Sequence, residues 1–93
     1  MDQITPEQTH DVGYALRFAL SELVRQITDS REMLASEEGK SAPGAIRKSL
    51  EGATAYQEET YARLVRTFAT LPESIRPDMR DRRLTLPDAE GAR

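Results

Sequence analysis

The chain has no cysteine, no tryptophan and only one histidine. Without cysteine it can hold neither a disulfide staple nor a thiolate metal site. His10 stands beside Asp11, with no second histidine one turn away and no Glu-x-x-His pair, so the usual helix-borne metal motifs are missing. The glycines are isolated at Gly13, Gly39, Gly44, Gly52 and Gly91, and none forms a phosphate-binding loop. Serines are present, but a single histidine leaves little to activate them. The carboxylate clusters Glu58-Glu59, Glu37-Glu38 and Asp29/Glu32 point largely to solvent faces of helices, whereas acid–base work needs carboxylates converging in a pocket. The expectation is a protein that is not an enzyme, with no catalytic, cofactor-binding or metal-ligating residues.

Long apolar runs are also absent. No window approaches the length of a membrane span, and Met1-Asp2-Gln3-Ile4 offers neither the basic nor the apolar part of a signal peptide. No membrane contact is expected, and the expected compartment is the cytoplasm. A strong excess of one charge is lacking too. The formal net charge is −3 and the pI about 5.1. The acids concentrate in residues 5–39 and the bases in residues 40–71, so the two halves are mildly complementary. Residues 72–93 carry five charges of each sign. This is not the basic field of a non-specific nucleic-acid binder.

Aromatics are 5% of the 93 residues, charged residues are 31%, and the mean hydropathy is −0.63. That allows one domain with a thin core. Most of its apolar residues fall on two stripes. Leu16, Leu20, Leu23, Ile27 and Leu34 recur at heptad spacing, with Gly13 and Ser30 in the remaining places. Ile46, Leu50, Ala53, Gln57, Tyr61, Leu64, Phe68 and Leu71 form the second stripe. Both read as amphipathic helices.

The first helix has a marked start. Thr5-Pro6-Glu7-Gln8 supplies a capping hydroxyl, proline at the first helical position, an acid in the first turn and a glutamine three residues after the cap. Its expected end is Gly39, in a left-handed closing conformation. Ser41 is the expected cap of the second helix, which Pro72 stops. The predicted fold is all-α, a long antiparallel helical hairpin over 1–71 (helices 6–38 and 42–71). A short irregular or partly helical tail follows over 72–93. Residues whose numbers sum to about 81 would then face each other: Leu34 with Ile46, Ile27 with Ala53, Leu20 with Tyr61, and Val12 or Gly13 with Phe68. Glu22 with Arg25 and Glu59 with Arg63 are expected surface pairs. Gly52 reads as an exposed weak spot within the second helix or, alternatively, as a place where another backbone approaches closely.

At 100° per residue, Tyr14 and Phe18 fall on the side of the first helix away from its stripe. A two-helix hairpin covers only one flank. A second copy would complete a four-helix bundle; alternatively, the tail folds back with Ile75, Met79 and Leu84, or another helical protein covers the flank. In the tail, 77–84 reads as a short helix and Leu84-Thr85-Leu86 as extended. Its cluster Arg76, Arg80, Arg82 and Arg83 is interleaved with Asp78 and Asp81 and lacks an aromatic for base stacking.

The outline, a helical hairpin of about a hundred residues, is similar to the small substrates of type VII secretion. Those carry a Trp-x-Gly-type turn and a later Tyr-x-x-x-Asp/Glu signal. Here the turn reads Ser41-Ala42-Pro43-Gly44, Tyr56 is followed four residues later by Thr60, and Tyr61 by Val65. The likeness is one of shape.

The functional expectation is a small interaction module: an adaptor, inhibitor, assembly or regulatory subunit. It would act as a homodimer or with a helical partner, through Tyr14, Phe18, Arg76, Arg80, Arg82 and Arg83. The alternatives are a nucleic-acid-associated accessory factor using the arginine-rich tail, although nucleic acid is a disfavoured partner, and a type VII-like secreted hairpin.

Overall fold

A computed structural model describes residues 5–86. Helices are the only regular structure among them: α1 spans Pro6–Ala35, α2 Glu37–Ser41 and α3 Gly44–Phe68, and a 3₁₀ turn covers Arg82–Leu84. The protein is all-α.

The start of α1 is as its sequence reads. The Gln8 N–H donates to Thr5 Oγ1 at 3.1 Å, and Gln8 Oε1 accepts from the Thr5 N–H at 2.8 Å. Two orphan donors are thus satisfied reciprocally. The end differs. The helix expected over 6–38 stops at Ala35, because Ser36 leaves helical geometry with φ −74° and ψ 164°. Ser36 serves both neighbours: its hydroxyl donates to the Met33 carbonyl at 2.6 Å and accepts from the Gly39 N–H at 3.1 Å, capping α2.

Gly39 does not take the left-handed conformation, and no described residue has positive φ. Its requirement is space. It is buried, and a Cβ built there would collide with the Met33 carbonyl oxygen. Close approach of α2 to the end of α1 is what demands glycine. Arg47 secures the same junction, with Nη1 donating to the carbonyls of Leu34 at 3.1 Å and Gly39 at 2.8 Å. The Leu34 carbonyl lies in the last turn of α1, where a helix leaves its carbonyls without intrahelical partners, and the Gly39 carbonyl also accepts the Ala42 N–H at 3.4 Å.

Ser41 is not the cap of α3. Its hydroxyl donates backward to the Glu37 carbonyl at 2.8 Å, and Pro43 holds the cap position without a side-chain bond. The second helix is Gly44–Phe68, shorter than the 42–71 expected, and the chain turns again before Pro72.

The later start of α3 changes the register. Ser30 Oγ donates to Gln57 Oε1 at 3.2 Å, and Arg31 Nε donates to Glu58 Oε2 at 2.8 Å. The paired numbers sum to well above the expected 81, because the chain reverses after α2 and not midway between 39 and 44. The two seam polars, Ser30 and Gln57, therefore meet each other. The same shift brings the backbone of Ile75 to 3.9 Å from a Cβ built at Gly13, where Phe68 was expected. Ile46 leaves the seam altogether and is 60% exposed, so the Leu34–Ile46 pair does not form as a buried contact. Gly52 is indeed exposed, with nothing within 4 Å of an added Cβ. Arg25 pairs with Glu22 at 2.8 Å, and Glu59 and Arg63 do not pair.

The core lies where α1, α3 and the tail converge. Leu20, Ile27, Tyr61, Leu84 and Leu86 are buried together, flanked by Leu23, Val24, Leu64, Val65, Phe68 and Met79. The segment after Phe68 thus contributes to the core, as the fold-back of the tail through Met79 and Leu84 requires. Leu84 and Leu86 are among the best-buried side chains, and the Tyr61 hydroxyl donates to the Leu84 carbonyl at 2.6 Å. The helix expected over 77–84 is reduced to the turn Arg82–Leu84, which Asp81 caps. Residues 87–93, at the end of the expected tail, lie outside the described residues. Among the described residues, no helix is long and apolar enough to cross a membrane.

Candidate partner-binding surface

Tyr14 and Phe18 lie one turn apart on α1, so their side chains project from the same face. Their rings stack with centroids 6.4 Å apart and planes 23° from parallel. Both remain more than half exposed, at 59% and 56%. Helical phase turns them away from Leu20 and Ile27, and the tail reaches only their edge. One turn further, the Ser21 hydroxyl bonds back to the Phe18 carbonyl at 3.0 Å and leaves the face polar beyond it.

The 3₁₀ turn packs beside these rings. Between them runs an open groove of about 230 Å³, lined by Tyr14, Arg17, Phe18, Ser21, Asp81, Arg83 and Leu84. The turn is held in place by Leu84 in the core and by Thr85, whose hydroxyl donates to the Asp81 carbonyl at 2.8 Å. Its charge is largely internal. Arg83 forks onto Asp81, with Nη2 to Oδ2 at 2.8 Å and Nε to Oδ1 at 3.2 Å. That hydrogen bond, with the Arg83 N–H at 2.9 Å, holds the Asp81 carboxyl below the usual aspartate range and raises the Arg83 guanidinium. Arg17 makes no ion pair among the described residues, so it leaves the groove with a positive charge.

The arginine cluster is divided. Arg83 joins Tyr14 and Phe18 in the groove. Arg76 and Arg80 border a separate hollow with Glu73, Pro77, Asp78 and Met79. Arg80 forks onto Asp78 through two 3.0 Å bonds, which lower the Asp78 carboxyl, and Arg76 Nε donates to the Leu71 carbonyl at 3.1 Å. Arg82 is exposed and has no ionic partner among the described residues. The aspartate two residues before Arg80 and before Arg83 was visible in the sequence, and it closes each fork locally.

Sequence reasoning did not single out four other exposed apolar residues: Val12, Met33, Ile46 and Tyr56, at 37%, 46%, 60% and 68% exposure. Ile46 was assigned to the seam, and Tyr56 was read only as part of a motif. Their helical phase was the signal available. Among the described residues, no three His, Asp or Glu side chains gather as a metal site.

No protein-family model, no curated protein and no solved structure matches this chain.

Proposed function

We propose that the protein is a non-enzymatic helical interaction module, serving as an adaptor, inhibitor, assembly or regulatory subunit. The observation that carries this reading is the Tyr14–Phe18 stack, two aromatic rings more than half exposed beside a groove. Large aromatics left open in a cluster are typical anchors of protein contacts. The positive Arg17 at the groove's edge favours a partner segment that carries an apolar side chain next to a carboxylate.

In this reading α1 and α3 run antiparallel as a hairpin, and a second copy completes a four-helix bundle. The cross-helix bonds of Ser30 with Gln57 and Arg47 with Leu34 support the first part. Uncovered apolar residues on both helices support the second. A nucleic-acid role gains little support, since Arg80 and Arg83 already face their own aspartates.

The test is co-purification from the native host with wild-type chain and with Tyr14→Ala/Phe18→Ala. A partner retained by the wild type and lost by the variant is the expected outcome. An unchanged set of co-purifying proteins removes the Tyr14–Phe18 surface as the contact.

A further inference from the structure

We infer that the groove beside the Tyr14–Phe18 stack takes an acidic peptide segment, whose carboxylate meets Arg17 and whose large apolar side chain covers the Phe18 ring about one helical turn away. The inference rests on the interaction surface proposed above and adds the residue that selects the partner and the spacing it selects.

The charged side chains that line the groove are Arg17, Asp81 and Arg83. Asp81 and Arg83 face each other through bonds of 2.8 and 3.2 Å and sum to zero. Arg17 makes no ion pair among the described residues, which leaves one uncompensated positive charge. The acids nearby do not cancel it. At about 100° per residue, Asp11 and Glu22 fall about 120° and 140° round α1 from Arg17, beyond the rings. Glu22 is held there by Arg25 at 2.8 Å. Glu7 lies about two turns before Tyr14. In the tail, Asp78 is paired with Arg80, and Glu73 borders the separate hollow. A carboxylate that enters the groove therefore gains a counter-charge, and an ammonium meets a like one.

Gly13 sets where that charge sits. A Cβ built there would stand 3.3 Å from Arg17 Nη1 and 3.9 Å from the Ile75 backbone. The guanidinium thus lies back along α1, in room that the missing side chain leaves, at the Tyr14 end of the groove. The Phe18 ring stands 6.4 Å from the Tyr14 ring and borders the groove with Leu84. It is 56% exposed, so it still lacks an apolar cover. The occupant must then hold its acid and its apolar group about 6 Å apart. Residues two apart on an extended segment, or one turn apart on a helix, meet that spacing.

A random peptide library displayed on phage and selected against the full chain tests this. The wild type is expected to enrich, about tenfold over the unselected library, peptides that pair a large apolar residue with aspartate or glutamate at one of those spacings. Arg17→Gln is expected to lose the acid and keep the apolar residue; Tyr14→Ala/Phe18→Ala is expected to lose both. A selected peptide, followed by fluorescence anisotropy, is expected to bind Arg17→Gln about three- to tenfold more weakly and Arg76→Gln as the wild type. Circular dichroism checks that each variant keeps its helicity. Enriched peptides that lack the acid, or keep it on Arg17→Gln, overturn the inference and leave the aromatic surface standing. Peptides that survive Tyr14→Ala/Phe18→Ala overturn both. A selection that enriches nothing overturns the inference, and co-purification still decides the surface. Light scattering examines the other occupant: Arg17→Gln is expected to leave the mass of the chain unchanged. A two-copy mass that falls to one copy would seat a second copy in the groove and overturn the separate peptide partner.

Discussion

The phenolic hydroxyl of Tyr61 donates a 2.6 Å hydrogen bond to the carbonyl oxygen of Leu84, across a gap of 23 residues. Tyr61 is 7% exposed and Leu84 2%, so water replaces this bond poorly if it is lost. Tyr61→Phe keeps the ring and orphans the carbonyl. The expected cost is about 1–3 kcal/mol, read as a lower urea midpoint at unchanged slope.

Removing the tail has a larger effect. A chain ending at Leu71 lacks Leu84 and Leu86, two of the five fully packed core residues. Leu84→Ala alone is expected to cost about 2–5 kcal/mol. The truncated chain is expected to melt at much lower temperature and with a broader transition. A sharp, wild-type-like melt by circular dichroism would show that the tail contributes nothing to the core.

Two glycine substitutions of identical chemistry should have opposite signs. Gly39→Ala drives a methyl into the Met33 carbonyl and is expected to destabilise by about 1–3 kcal/mol. Gly52→Ala meets nothing within 4 Å inside α3 and is expected to stabilise by about 1 kcal/mol. Denaturant titration of the pair measures both.

Acid should weaken the tail turn. Arg83 lowers the Asp81 carboxyl by hydrogen bonding, and Arg80 does the same to Asp78. A carboxyl depressed in the folded state stabilises it above the unfolded value, about 3.9, and that contribution is lost as pH falls through the folded value. Stability is expected to fall from about pH 4 downward. Asp81→Asn keeps a capping side chain but cannot titrate, so its acid slope should be shallower than that of the wild type.

Tyr14→Ala/Phe18→Ala should leave the isolated chain nearly as stable as before, within about 0.5 kcal/mol. Both rings are mainly in water, and neither belongs to the buried cluster. A larger loss in a thermal melt would mean that they support the tail turn as structural residues.

The elements legible from sequence are those governed by local chemistry. Thr5 and Gln8 made the start of α1 readable, because a capping box lies within four residues. The 100° phase placed Tyr14 and Phe18 off the stripe, and they are exposed. The end of α1 was not readable, since Ser36 can continue a helix or cap both of its neighbours. The proximity of Met33 to Gly39, which no local pattern encodes, accompanies the break. The shift in register followed from that one junction. The groove was equally hidden, because its second wall reaches α1 only through the burial of Leu84 and its bond to Tyr61. A short apolar run such as Leu84-Thr85-Leu86 has no period by which to assign it to a core.

The Tyr61–Leu84 contact also fixes when the fold can finish during synthesis. The helices form from local contacts as the chain emerges, but Leu20 and Ile27 in α1 await Leu84 and Leu86, made roughly sixty residues later. At about 5–20 residues per second, that leaves an apolar stripe uncovered for several seconds. A chaperone or an already folded copy would have its best access to the stripe during that interval.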